Sequence, residues 1–142
     1  MNKTNKERNK KGIVYVVEDN YDLRSLIEEK LEGEYCVVSF PKGEDFIYFL
    51  RERFPHSQIE KEIIILDMSL GFSKNHGEDI LNYLKKEDLK IKTIILSGIS
   101  QYKKNITINL YNQPEVRVYH KDIKTINELP KIVEEMYKKS FF

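Results

Sequence analysis

Glu62-Ile63-Ile64-Ile65-Leu66-Asp67 is a run of β-branched and apolar residues that stops at a carboxylate. A second run of the same kind, Ile13-Val14-Tyr15-Val16-Val17, stops at two acids, Glu18 and Asp19. Continuous apolar runs of this length read as strands covered on both faces, the condition of a buried parallel sheet. In open α/β sheets ligands collect outside the carboxyl ends of the strands. Glu18, Asp19 and Asp67 are therefore expected to meet there. Three acids in one place repel one another unless a cation stands between them, and a metal ion is the first candidate.

Outward from these two runs the chain alternates strand and helix. Asn20 is placed to cap a helix carrying Leu23, Leu26, Ile27 and Leu31 on one face, closed by Gly33. Tyr35-Cys36-Val37-Val38-Ser39-Phe40 reads as a strand, and Gly43 opens a helix with Phe46, Phe49 and Leu50 at helical spacing. Phe54-Pro55-His56-Ser57 breaks that helix. After Asp67 comes a polar loop, Ser69 to His76, then a helix from Gly77 with Leu81 and Leu84 facing inward. Lys92-Thr93-Ile94-Ile95-Leu96-Ser97 and Glu115-Val116-Arg117-Val118-Tyr119 supply the fourth and fifth strands. A last helix ends near Lys139, with Pro130 expected in its first turn.

The stretch from Gln101 to Gln113 holds Ile106, Thr107, Ile108 and the asparagines 105, 109 and 112, all weak helix formers. It is read as a helix because parallel strands require a crossover connection. Five βα units with right-handed crossovers predict a flavodoxin-like, doubly wound α/β sandwich over residues 12–142, with a five-stranded parallel sheet in the order 2-1-3-4-5. Residues 1–11 form a basic, disordered tail in this reading.

A chain of 142 residues suits one domain with one core. The net charge of +1 makes no global case for nucleic acid or a membrane surface. Cys36 is the lone cysteine, which excludes a disulfide framework and a Cys-rich zinc site; it is expected to pack as a small apolar residue in its strand. No apolar stretch is long enough to span a bilayer, and the start, Met1 to Lys11, lacks the apolar core of a secretory signal. A cytoplasmic protein is expected. His56, His76 and His120 have no metal-ligand spacing and read as solvated loop residues, with His76 in the loop after Asp67.

Singly, most of these residues have plain explanations. Asp19 or Asn20 can be a helix cap, Ser97 a strand-end serine, and Lys121 one of many surface lysines. Asp67 differs, because a carboxylate directly after Ile63-Ile64-Ile65-Leu66 is costly to place near a core without a purpose.

Together they resemble a known pattern. Val16-Val17-Glu18-Asp19-Asn20 at the end of the first strand, Asp67 ending the third, Ser97-Gly98 ending the fourth and Lys121 following the fifth resemble the response-regulator receiver domain of two-component signalling. The resemblance covers about residues 12 to 140. It implies that Asp67 is the phosphoacceptor, that Glu18, Asp19, Asp67 and the backbone carbonyl of Ser69 hold Mg²⁺, and that Ser97 and Lys121 meet the phosphoryl group. The chemistry agrees, since phosphoryl transfer rests on charge neutralisation and positioning, and Mg²⁺ favours oxygen ligands.

Three departures from that pattern stand out. Asp122 follows Lys121 where the family commonly has a proline joined by a cis peptide, and a cis bond before a non-proline costs about 3 kcal/mol. The position three residues before the lysine, the family's switch aromatic, is Val118, while Tyr119 is one residue later and by strand alternation faces the other side. The segment Ser69 to His76 is about two residues longer than usual in the family.

The resemblance implies a single-domain response regulator that takes its phosphoryl group from a histidine kinase or a histidine phosphotransfer protein. The signal would pass to a downstream protein through the face of the fourth helix, fifth strand and fifth helix, which would include Tyr102, Tyr111, Arg117 and Tyr119. Because the chain stops with its last helix, no output domain, direct DNA binding or membrane attachment is expected. A monomer or a weak phosphorylation-dependent dimer is expected, and no enzymatic turnover beyond Mg²⁺-dependent self-phosphorylation and autodephosphorylation. The terminal Phe141 and Phe142 either fold onto the core or mark a contact face. The alternative is a phosphorylation-independent interaction module, favoured by Val118 and Asp122. A phosphohydrolase of the haloacid dehalogenase type would need a second acid in Asp67-Met68-Ser69, and a flavin or dinucleotide site would need a Gly-rich loop after the first strand.

Overall fold

In a computed structural model of the chain, the described residues are 10–53, 61–68, 76–98 and 116–138, with residues 76 and 77 described in backbone only. The expected helix over 101–113, the loop from Ser69, the residues Tyr102, Tyr111, His56, Phe141 and Phe142, and most of the basic tail lie outside them.

The β-branched runs form strands β1 (Ile13–Val17), β2 (Cys36–Phe40), β3 (Glu62–Met68), β4 (Lys92–Ser97) and β5 (Val116–His120). All neighbouring pairs are parallel, and the order is β2-β1-β3-β4-β5, as expected for a flavodoxin-like sheet. Four helices are described: α1 (Tyr21–Leu31), α2 (Gly43–Glu52), α3 (His76–Lys86) and α4 (Ile123–Lys138).

Strand alternation divides the interior in two. Tyr15, Val17, Ile64, Leu66, Met68 and Ile95 meet Phe46 and Leu50 of α2 and Ile80, Leu81 and Leu84 of α3. Val14, Val16, Ile63, Ile65, Ile94 and Leu96 meet Ile27 and Leu31 of α1 and Ile126, Leu129, Ile132, Val133 and Met136 of α4. The middles of the central strands, residues 63–66 and 94–96, are therefore apolar without interruption, because both of their faces are covered.

Pro130 lies inside α4, not in its first turn as expected. The helix begins seven residues earlier, at Ile123, because Asp122 caps it and the stripe Ile126, Leu129, Val133, Met136 needs those turns to reach the sheet. That burial outweighs the backbone hydrogen bond that Pro130 cannot donate. Cys36 is likewise corrected. It stands in β2 as expected, yet it is exposed, because β2 is an edge strand.

Candidate functional site

Asn20 caps α1 by accepting from Leu23 N at 2.9 Å, and that turn sets the acids at the end of β1. Glu18 is held at both ends of its backbone. Its N–H donates to Phe40 O at 3.1 Å, and its carbonyl accepts from the Arg24 guanidinium at 2.9 Å. Its side chain is buried, with Oε2 accepting from Asn20 N at 3.1 Å. Oε1 has no hydrogen-bond partner and lies 3.5 Å from Lys121 Nζ. Neither the second role of Asn20 nor that of Arg24 has a sequence signal, since each depends on how α1 leaves the sheet.

Asp67 is paired with Leu96 in the ladder, and Met68 with Ser97. Ser97 is buried beside that strand end, in register with His120 of β5. Its carbonyl accepts from Lys121 N at 2.7 Å, which carries the ladder one residue past β5. From there the Lys121 ammonium donates to Asp67 Oδ1 at 2.7 Å. Strand β4 stands between β5 and β3, so only a side chain as long as lysine spans the gap.

Glu18, Asp19 and Asp67 each offer an oxygen within 4.8 Å of the others, with Glu18 buried and Asp19 exposed. Burial, and then the charge of Asp67, pushes the Glu18 carboxyl up to about 8. It keeps its proton at neutral pH in the absence of a cation. For Lys121, burial opposes the charge, but the Asp67 hydrogen bond and the charges of Asp67 and Glu18 outweigh it and hold the ammonium above its ordinary pKa. An orphaned buried carboxylate oxygen among three hard oxygen donors fits a divalent cation.

The sequence expectations thus meet in one place for Glu18, Asp19, Asp67 and Lys121, with Ser97 beside them. Ser69 lies outside the described residues. His120 ends β5 and is exposed. Asp122, which departs from the family pattern, turns away from the site, since its Oδ1 accepts from Thr125 N at 2.8 Å as the cap of α4. Val118 packs with the α2 and α3 side of the core and Tyr119 with the α1 and α4 side, as alternation requires.

Solved structures similar to this chain include signal receivers. The signal receiver domain of a LuxO repressor protein from Vibrio parahaemolyticus superposes with a TM-score of 0.68 at 22% identity, covering 90% of this chain and 91% of that one. The receiver domain of the Francisella response regulator 1452 gives 0.69 at 19% identity, covering 89% and 97%. The fold is that of a receiver domain. Response regulator TrrA from Thermotoga maritima, solved with Mg²⁺ and BeF, gives the receiver fold again at a TM-score of 0.63 and 21% identity, covering 88% and 98%. No protein-family model and no curated protein matches the chain. Among the described residues, no helix of this receiver fold is long and apolar enough to cross a membrane.

Proposed function

We propose that the chain is a phosphoacceptor of two-component signalling, phosphorylated on Asp67 by a histidine kinase or a histidine phosphotransfer protein, and that it signals by phosphorylation-dependent protein contact. The observation that carries this is the 2.7 Å hydrogen bond from Lys121 to Asp67 inside a cluster of three carboxylates at the carboxyl edge of a receiver fold. A strand-end carboxylate with one cation already beside it and two acids able to recruit another is equipped to take a phosphoryl group.

Asp67 is the nucleophile. One of its oxygens forms the new bond to phosphorus as the bond from phosphorus to the donor imidazole nitrogen breaks, leaving an acyl phosphate and a histidine that regains its proton. Lys121 carries three donors on its ammonium, so it can turn from Asp67 Oδ1 to the incoming phosphoryl oxygens. Glu18 and Asp19 would hold Mg²⁺ together with Asp67. When bound, Mg²⁺ supplies positive charge that offsets the carboxylate repulsion and the phosphoryl oxygens. Ser97 offers a hydroxyl at the edge of the same site.

Incubation with Mg²⁺ and acetyl phosphate should add the mass of one phosphoryl group, and Asp67→Asn should abolish the addition. An unmodified wild-type chain, or labelling that survives Asp67→Asn, defeats the proposal.

The placement of Val118 supports a second reading. It fills the switch position without an aromatic ring and packs into the core on the side opposite Tyr119. In that reading the receiver fold is a constitutive interaction module. Partner binding unchanged by Asp67→Asn or by a beryllofluoride mimic would favour it.

A further inference from the structure

We propose that a cavity at the amino-terminal edge of the sheet, opposite Asp67, binds a small phosphate monoester. The cavity has a volume of about 440 Å³, in the range usual for small-molecule sites, roughly 300–1,000 Å³. It is built where the chain enters β1 and β3 and where α2 ends, with Lys10, Lys11, Arg53 and Lys61 around it and Glu62 and Cys36 in its wall. Four cations against one acid make it a basic pocket in a chain of nearly neutral charge.

The cations are not equivalent. Arg53 is engaged by Glu62 and the Tyr15 hydroxyl, and Lys11 pairs with Glu34 at 2.9 Å. Lys10 donates to the backbone carbonyl of Glu32. Among the described residues, neither Lys10 nor Lys61 has a carboxylate within 4.0 Å. Two lysines lining one cavity without a carboxylate partner suit the charge of a phosphate monoester, about −1.5 to −2 at neutral pH, better than that of a single carboxylate.

This site is separate from the one at Asp67. Glu62 and Asp67 are at opposite ends of β3, about 16 Å apart at the rise of an extended strand. The inference does not depend on whether Asp67 is phosphorylated.

The test is isothermal titration of the full chain with 5′-AMP and with inorganic phosphate, with adenosine as the uncharged control and amide NMR shifts to place each ligand. AMP and phosphate should bind with a Kd below about 1 mM and shift Gly12, Ile13 and Cys36, while adenosine should not bind. The double variant Lys10→Ala/Lys61→Ala should bind at least about tenfold more weakly, about 1.4 kcal/mol, with an unchanged melting temperature. Lys10→Arg/Lys61→Arg should retain binding, and Lys121→Ala should leave it intact. Absence of AMP binding, or equal binding of adenosine, overturns the proposal. So does binding lost in Lys121→Ala and kept in the double alanine variant, which would assign the phosphate to the carboxyl edge. A polyglutamate peptide that binds where AMP does not would also overturn it, by making the face a dock for an acidic chain.

Discussion

The Lys121 ammonium donates to Asp67 at 2.7 Å and stands 3.5 Å from Glu18, so one lysine is the counter-charge of Asp67 and faces the Glu18 carboxyl as well. Removing it leaves the Asp67 carboxylate without its cation beside a second acid. Lys121→Ala is expected to lose about 2 kcal/mol of stability in chelator, a discounted value for a pair whose lysine retains some exposure. Millimolar Mg²⁺ should restore much of that loss, because a cation that binds only the native state takes over the compensation. Urea unfolding with and without Mg²⁺ measures both effects, and an equal loss in the two conditions would contradict the role.

Glu18 sets a pH dependence with a definite sign. Its pKa is about 8 in the folded chain against 4.5 in the unfolded one. The native state therefore holds a proton that the unfolded state has released across that interval. The resulting stability is full below pH 4.5 and is lost as pH rises through about 8. In chelator the melting temperature should fall over that window, and Glu18→Gln should flatten the fall. Mg²⁺ displaces the same proton, so its stabilisation should grow with pH. Thermal melts across the window test all three statements.

Asp122 accepts from Thr125 N and starts α4. Asp122→Ala should lower the melting temperature by a few degrees, the size usual for a lost cap, and Asp122→Asn should preserve most of it. Phosphorylation by acetyl phosphate should continue in both variants, since the carboxylate is turned toward the helix. Loss of labelling in Asp122→Asn would place it in the phosphoryl site instead.

Gly12 sits where a Cβ would lie 2.6 Å from the Tyr137 hydroxyl and 2.8 Å from the backbone carbonyl of Lys61. That hydroxyl donates to Ile13 O at 2.8 Å and Lys61 O at 3.0 Å, tying α4 to the starts of β1 and β3. Gly12→Ala is expected to cost about 1–3 kcal/mol, as overpacking against backbone does. Combined with Tyr137→Phe, the two losses should not add, because both act on the same contact. A double-mutant cycle in urea measures the coupling.

Much of the fold was legible because burial on both faces of a parallel sheet writes itself into consecutive residues. The runs at Ile13–Val17, Glu62–Met68 and Lys92–Ser97 carry that mark, and the order β2-β1-β3-β4-β5 is the one expected of a flavodoxin-like sheet. The acids at the ends of β1 and β3 therefore share one edge of the sheet by patterning alone, while Lys121 joins them in the sequence only through the resemblance to receiver domains.

What the sequence determined by itself was this local periodicity and the chemistry at the carboxyl ends of the strands. Tertiary structure alone decided the rest. Cys36 is exposed only because β2 became an edge, and Pro130 sits mid-helix because a distant sheet face rewards the turns before it. Glu62 opens an apolar run yet is buried against Arg53 and Tyr15, and Lys92 reaches the Met136 carbonyl at the end of α4. Hydrophobic patterning repeats along the chain and can be read from neighbours. A buried charge is compensated by whichever group the fold brings to it, across 47 residues for Tyr15 and Glu62 and 54 for Asp67 and Lys121.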